Sequence, residues 1–504
     1  MRAPAESASG ESVKAAREYV TMSNSVRTYG HIIGGQERRS AEVIERSNPA
    51  TDQHVASFAA GTAEDVDAAV GAARQAFDDG RWSRRSGADR SRLLLALAGA
   101  IGDHREQLAA IDAEEVGKPL NLAREDVDGA IAHFEYAAAL AHEVHGDQYT
   151  NLGEAYLGLI AREPVGVVGL IAPWNFPALS YAEKAAYALA AGCTTVIKPS
   201  EYTSGSSVEI TRLAATVGIP HGVLNVVTGL GDVVGRGIVE HPGVDFVSFT
   251  GSTATGKRIA AMAAVQLKRV ALELGGKGAN IVCVDADLGA AVDGALRAAF
   301  FNTGECCVAG SRLLVEHSIA DAFLAEVVER TAKLVVGFSE DADIGALIHE
   351  THAQKVIGHI DQARAEGGTI LTGGTRLRPD GLTGTFVAPT VIDSVTPTMR
   401  IYQEEVFGPV LCAVRFTGTD EAIKLANDTN YGLGNSVWTN NLDSMMRFKR
   451  ELRSGTVWIN TTIDSAPQMT FGGTKDSGYG REVGRAGLEE FTELKSCVIR
   501  AGAA

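Results

Sequence analysis

Cysteine is scarce in this chain, and none of it is arranged to cross-link. Six occur in 504 residues: Cys193, Cys283, Cys306, Cys307, Cys412 and Cys497. No C-x-x-C pair is present. Scattered thiols in a long chain exclude a disulfide framework and fit a reducing compartment. The adjacent Cys306 and Cys307 close a disulfide ring only with backbone strain, which argues against a redox pair. Metal-ligand spacing is missing too. "HEVH" (142–145) and "HETH" (349–352) are each one residue short of the H-E-x-x-H zinc pattern and read as histidines on solvated helix faces. Basic residues are also in deficit. Lys and Arg number 46 against 62 Asp and Glu, a formal net charge of −16. A nucleic-acid or anionic-membrane partner needs a basic face, so neither is expected. No uninterrupted apolar run reaches the ~18 residues of a membrane span. The first twenty residues lack an apolar signal core, and Glu6 and Glu11 do not suit an acid-poor transit peptide. Residues 1–21 are therefore expected to be a mobile leader on a cytoplasmic protein.

What is present is an ordinary globular composition, 45% hydrophobic and 21% charged. At 504 residues the chain is too long for one core, so two or more domains are expected. Short, almost wholly apolar runs recur: 166–171, 194–198, 223–227, 245–249, 280–284 and 456–459. Such runs suit strands covered on both faces. Amphipathic stretches separate them. In "GTAEDVDAAVGAARQAF", Thr62 and Asp65 read as a capping box, and Val66, Ala69, Val70, Ala73 and Phe77 share a face. This alternation predicts an α/β fold with a parallel sheet.

Several stretches carry chemistry. "FTGSTATG" follows a strand and opens a helix, with Gly251 permitting close approach and Ser252 offering a hydroxyl to a phosphate. "GLGDVVG" (229–235) is a second glycine turn of the same kind. An acid about 20 residues past the glycines would bind a ribose in the usual dinucleotide fingerprint, and Glu273 sits there relative to Gly251. "IKPSE" offers a different ribose reader, Lys198 with Glu201, or simply a capped helix start at Ser200. A carboxylate at that edge would repel a 2′-phosphate and favour NAD over NADP. A thiol that attacks a carbonyl needs an oxyanion donor and, for release, a base for water. Asn175 in "PWNFP" and Glu273 in "ELGGKG" are of the right types. "FNTGECCVAG" (301–310) leaves open whether its paired cysteines are packed residues or include one working thiol.

Taken together and in order, "PWNFP", "KPSE", "FTGSTATG", "ELGGKG", "FNTGECCVAGSR", "EEVFGPV" and "GGTKDSGYGREVG" closely resemble the NAD(P)-dependent aldehyde dehydrogenase superfamily. The resemblance covers nearly the whole chain after about residue 30. It implies a Rossmann-like cofactor domain, an α/β catalytic domain and a small β oligomerisation arm. The expected division is 22–146 with 166–274 for the NAD-binding domain, 275–482 for the catalytic domain, and 147–165 with 483–504 for the arm. Exposed strands of an arm pair with another subunit, so a homodimer or homotetramer is expected.

The resemblance assigns Cys307, not Cys306, as nucleophile, Glu273 as base, and Asn175 with the Cys307 backbone N–H as oxyanion donors. Glu273 is then no ribose ligand. Lys184 and Glu482 match proton-relay positions. Cofactor contacts map to Ile171, Ala172, Pro173, Trp174, Lys198, Ser200, Glu201, Gly231, Phe249, Gly251, Ser252, Thr255, Leu274, Gly275, Glu405 and Phe407. Substrate contacts map to Gly129, Phe176, Ser180, Glu183, Cys306, Val308, Asp464, Ser465 and Phe471. No metal is implied. The implied reaction is oxidation of a small aldehyde to an acid through a Cys307 thiohemiacetal and thioester, with Glu273 activating water. Two departures stand out: Glu305 where relatives carry Gln, and Thr470 where they carry Pro. Glu305 is expected to raise the thiol pKa by like-charge repulsion. Small Gly129 and Ser465, polar Ser180, and acidic Glu183 and Asp464 imply a wide, polar tunnel suited to a cationic aldehyde. The competing expectation pairs Glu183 with a Lys or Arg, away from substrate. Rival activities are a CoA-acylating semialdehyde dehydrogenase, which commonly lacks the Glu base, and a Cys-dependent ester hydrolase.

Overall fold

The computed structural model describes residues 26–500, so the expected leader over 1–21 lies outside the described residues. Every apolar run singled out above forms a strand. The largest sheet has eight strands, in the order Gly478–Tyr479, Arg269–Glu273, Phe246–Thr250, Val167–Ile171, Thr194–Lys198, Leu224–Val226, His31–Ile33, Gln36–Arg38. The five strands from Arg269–Glu273 to Leu224–Val226 run parallel. The flanking pairings are antiparallel. Val167–Ile171 and Thr194–Lys198 are buried along their whole lengths, which explains their near-continuous hydrophobicity.

The strand order has a mechanical consequence. The chain moves outward from Val167–Ile171 through Thr194–Lys198 to Leu224–Val226. It then crosses back to lay Phe246–Thr250 on the other side of Val167–Ile171. Connections diverge at that reversal and open a crevice beyond the C-terminal ends of the two strands, where α/β sheets bind ligands. Ile171 and Thr250 stand at its lip.

A second sheet of seven strands spans Ala279–Val282 to Thr456–Ile459, parallel except for Thr369–Thr372 at its edge. A third, of three antiparallel strands, pairs Thr492–Arg500 with Tyr156–Pro164 over nine residues and adds Asp147–Tyr149. Apart from Thr492, the strand Thr492–Arg500 is exposed along its length.

The helix Pro177–Ala191 lies at the heart of the largest core. Its alanines allow close packing, and all its side chains but Leu179 and Glu183 are buried. The capping box at Thr62 and Asp65 forms as expected on the helix Ala63–Asp78. Three local expectations need correction. Ser200 caps no helix, because the next helix starts at Gly205; its hydroxyl instead accepts from the Tyr202 N–H. His142 falls in a turn after the helix Leu120–Leu140 has ended, and His145 in the irregular stretch beyond it. His349 is the N-cap of the helix Glu350–Ala365, with Nδ1 accepting from the His352 N–H at 3.0 Å, so neither side chain sits on a solvated face. Among the described residues, no helix is long and apolar enough to cross a membrane, and no group of three or more potential metal ligands occurs.

Candidate active site

One cavity of ≈ 1370 Å³ gathers every residue assigned above to catalysis, cofactor or substrate except Lys184. It begins at the crevice of the first sheet and ends among residues that follow the second. Lys184 stands just behind its wall.

The loop that carries the paired cysteines follows the helix Leu288–Phe300. Asn302 and Thr303 then take left-handed backbone conformations, φ 50° and 61°. For a β-branched residue this costs on the order of 1–3 kcal/mol. Strain at that point is held by surrounding contacts: Thr303 Oγ1 accepts from the Gly345 N–H at 2.9 Å, and Asn302 Nδ2 donates to the Asn175 and Glu305 carbonyls at 3.2 and 3.1 Å. The turn delivers Cys306 to a buried cluster with Val308, Leu433 and Trp458, and Cys307 to the cavity wall. Close approach of the "ELGGKG" loop requires glycine. A Cβ at Gly276 would lie 2.2 Å from the Cys307 carbonyl oxygen.

Asn175 is 5% exposed, and its Nδ2 donates to the Glu305 carbonyl at 2.9 Å. The amide is thus anchored against the loop that carries the thiol. Glu273 ends the strand Arg269–Glu273, and both its carboxyl oxygens are buried without a hydrogen-bond partner. Burial, with the nearby Glu482 carboxylate, holds it well above the usual carboxylate range. Behind it, Lys184 pairs with Glu482 and donates to Ser248 Oγ at 2.8 Å, while Ser248 Oγ donates to Glu482 at 2.6 Å. The Cys307 thiol is pushed well up by the neighbouring Cys306 thiol, by burial, and by the Glu405 and Glu273 carboxyls.

Glu305 is not among the main causes of that shift, contrary to the expectation of like-charge repulsion. Its carboxyl accepts from the Ile348 N–H at 3.1 Å and lies 3.7 Å from His352 Nε2. Burial raises its pKa well above the ordinary value. Thr470 lies on the cavity wall.

The crevice suits a dinucleotide by its donor set. Ser252 is the N-cap of the twelve-residue helix Thr253–Ala264, a ready position for a pyrophosphate. Lys198 Nζ donates to Glu201 Oε2 at 3.1 Å, making a paired donor and acceptor for ribose hydroxyls at a strand's C-terminal edge. A Cβ at Gly251 would meet the Phe249 ring at 2.6 Å, so only a bare backbone fits there. Glu405 Oε1 accepts from the Gly276 N–H at 2.8 Å, and Phe407 packs edge-on against Trp174.

The far end of the cavity is acidic and aromatic. Phe176, as N-cap of the helix Pro177–Ala191, shares a face with Ser180 and Glu183, and the Ser180 N–H donates to the Phe176 carbonyl at 2.8 Å. Glu183 lies 3.8 Å from His133 Nε2. Its partner on that wall is thus a histidine, not the Lys or Arg of the competing expectation. Burial pushes His133 down to about 4, so it is neutral. Desolvation of its half-buried carboxyl, helped by Glu482, pushes Glu183 up to about 8. Asp464 accepts from Thr461 and has Arg297 at 3.9 Å, so its charge is partly offset. Trp458, Phe176 and Phe301 supply rings, the latter two stacked at 6.0 Å.

Sequence reading missed four participants: Lys118, Asp126, Ser248 and Asn302. Asn302 stands inside "FNTGECCVAG", where the cysteines drew the attention; the other three stand in no pattern of spacing that marks chemistry. Lys118 reaches Asn175 across 57 residues of chain.

The family model described as "Aldehyde dehydrogenase family" matches residues 36–497. The chain is 44% identical to betaine aldehyde dehydrogenase 1 of Oryza sativa subsp. japonica, over 92% of this chain and 94% of that one. It is 43% identical to the peroxisomal aminoaldehyde dehydrogenase 1 of Pisum sativum, over 90% and 91%. Among solved structures, the betaine aldehyde dehydrogenase of Staphylococcus aureus in complex with NAD+ superposes with a TM-score of 0.92 at 39% identity, covering 98% of each chain. The chain belongs to the aldehyde dehydrogenase family.

Proposed function

We propose that this protein oxidises a small cationic aldehyde, of the amino- or trimethylammonio-aldehyde class, to its carboxylic acid with NAD. One observation carries the reading: a thiol, an anchored amide donor and an unpartnered buried carboxyl share a single cavity with a dinucleotide crevice and an acidic, aromatic wall. The betaine and aminoaldehyde dehydrogenases among its relatives agree with that substrate class.

Lys198 and Glu201 would hold one ribose, Ser252 the pyrophosphate and Glu405 the other ribose, with Phe407 and Trp174 beside the ring. NAD, when bound, supplies the hydride acceptor that the oxidation requires. The Cys307 thiol gives up its proton to water as Sγ bonds to the aldehyde carbon, and the C=O π pair moves onto the oxygen. Asn175 Nδ2 and the Cys307 N–H hold the carbonyl oxygen as it gains charge. Glu273 takes a proton from water so that hydrolysis frees the acid from Cys307. Its proton then passes toward the Glu482 carboxylate, which Lys184 and Ser248 hold in place. Glu183 attracts the cationic tail, and Trp458 offers it a ring face. The first sheet acts as the cofactor half, the second carries the nucleophile, and the exposed strand Thr492–Arg500 joins a second copy of the chain.

The test is NADH formation with betaine aldehyde and 4-aminobutanal, with and without CoA. CoA-independent turnover lost in Cys307→Ala is the expected result. Strict CoA dependence would point to the acylating rival. Ester hydrolysis without any NAD reduction would point to a plain hydrolase.

A further inference from the structure

Lys118 is a charged side chain where charge is costly. It is 1% exposed, deep between the helix Leu120–Leu140 and the nucleophile loop. Taking an ammonium out of water costs several kcal/mol unless its donors are matched. Nζ donates to Asp126 Oδ2 at 2.6 Å and to the Asn175 backbone carbonyl at 2.7 Å. It also stands 4.4 Å from the centre of the Phe176 ring. A pair that only tied down its own helix would need the first contact alone. The other two reach consecutive residues, the oxyanion donor and the tunnel wall.

Asn175 is gripped through its backbone. Its carbonyl accepts from Lys118 and, at 3.2 Å, from Asn302 Nδ2. Asn302 also donates to the Glu305 carbonyl, the same oxygen that receives the Asn175 side-chain amide. The side chain therefore swings from a point that Lys118 fixes. Without Lys118, that carbonyl keeps only the longer Asn302 contact.

We propose that Lys118, locked by Asp126, is a positioning residue: it holds the Asn175 backbone and the Phe176 ring so that the Asn175 amide stays aimed at the carbonyl oxygen of a substrate on Cys307. Lys118 touches no reacting atom and acts through Asn175. This deepens the function proposed above and rests on it for the role of Asn175.

The test uses p-nitrophenyl acetate on the full-length protein. The Cys307 sulfur bonds to the acyl carbon, the acyl C–O bond breaks, p-nitrophenolate leaves with the electron pair, and the thiol proton goes to solvent. Wild type is compared with Asn175→Ala, with the double variant Lys118→Met/Asp126→Leu, and with all three changes together. Removing both charges at once leaves no uncompensated ion inside. The double variant should slow acylation about 10- to 100-fold, less than the ~10²–10³ expected for loss of a whole oxyanion donor. Iodoacetamide alkylation of Cys307 builds no oxyanion and should keep its rate. In the Asn175→Ala background the double change should add less than about twofold, because the group it positions is gone. Fully additive losses, equal losses in acylation and alkylation, or an unchanged acylation rate would each overturn the proposal. Asp126→Asn keeps the cation and the volume and should show the same non-additivity with a smaller loss, so a double variant that fails to fold does not end the test. Wild type that acylates but oxidises no aldehyde would defeat the proposed function and leave this comparison valid.

Discussion

The side-chain amide of Asn175 donates to the backbone carbonyl of Glu305 at 2.9 Å, two residues before the thiol of Cys307. The amide and the thiol are thus tied to one loop. A carbonyl carbon bonded to Sγ brings its oxygen within reach of that amide. Asn175→Ala should cut kcat about 10²- to 10³-fold with little change in KM, because the donor acts on charge that develops during reaction. Steady-state kinetics check this; a purely KM effect would contradict it.

The two thiols should differ in their effects. Cys307→Ala should abolish oxidation. Cys306 packs with Val308, Leu433 and Trp458, so Cys306→Ala should leave most activity and cost about 1 kcal/mol of stability as a small cavity. Equal loss of activity in both variants would undo the assignment. In the cofactor-free protein, Cys307 alkylation should still be rising well above pH 8.5, because its surroundings favour the neutral thiol. A plateau by pH 8 would contradict that electrostatic picture.

Glu273 should set the acid limb of the pH–rate profile. It works only when deprotonated, and burial and Glu482 hold its pKa well up, so kcat should climb with pH beyond the normal carboxylate range. Glu482→Gln removes a like charge and frees the Lys184 cation; both changes favour ionised Glu273. The limb should move to lower pH. A shift to higher pH would show that Glu482 supports the base in some other way.

Glu183 should give the substrate site a pH dependence of its own. The free carboxyl titrates at about 8, and a bound cation favours its ionised form. KM for a cationic aldehyde should therefore fall as pH rises through that value. Glu183→Gln should flatten the trend and raise KM about fivefold, the scale of a partly exposed ion pair. KM for an uncharged aldehyde should respond to neither change.

The strand Thr492–Arg500 should carry subunit contact. Leu494 and Val498 are 63% and 67% exposed there, an apolar edge that a lone chain would leave open to aggregation. Leu494→Asp/Val498→Asp should lower the mass in solution as read by light scattering. An unchanged mass would place the contact elsewhere.

Much of this was legible in the residues. The fully buried strands announced themselves as apolar runs, and the helix Ala63–Asp78 through its Thr62–Asp65 cap. The chemistry-bearing loops were legible because Gly276, Asn175 and Cys307 stand in dense, recognisable motifs. The reversal of strand order that opens the crevice was not, since no single segment encodes which neighbour Phe246–Thr250 will choose. Lys118 was hidden for a related reason: its meaning depends on a contact across 57 residues, and in sequence it is an ordinary lysine. Glu305 misled because adjacency in sequence suggested adjacency of charge, whereas its side chain turns toward Ile348 and His352.

The most direct measurement compares kcat/KM for NAD reduction with betaine aldehyde and with its uncharged isostere 3,3-dimethylbutanal, which differ only in nitrogen for carbon. A preference of about tenfold or more for the cation, a difference of about 1.4 kcal/mol in transition-state binding, is expected from an acidic, aromatic wall. Equal or reversed preference would contradict the cationic assignment, and no NADH from either would contradict the oxidation itself.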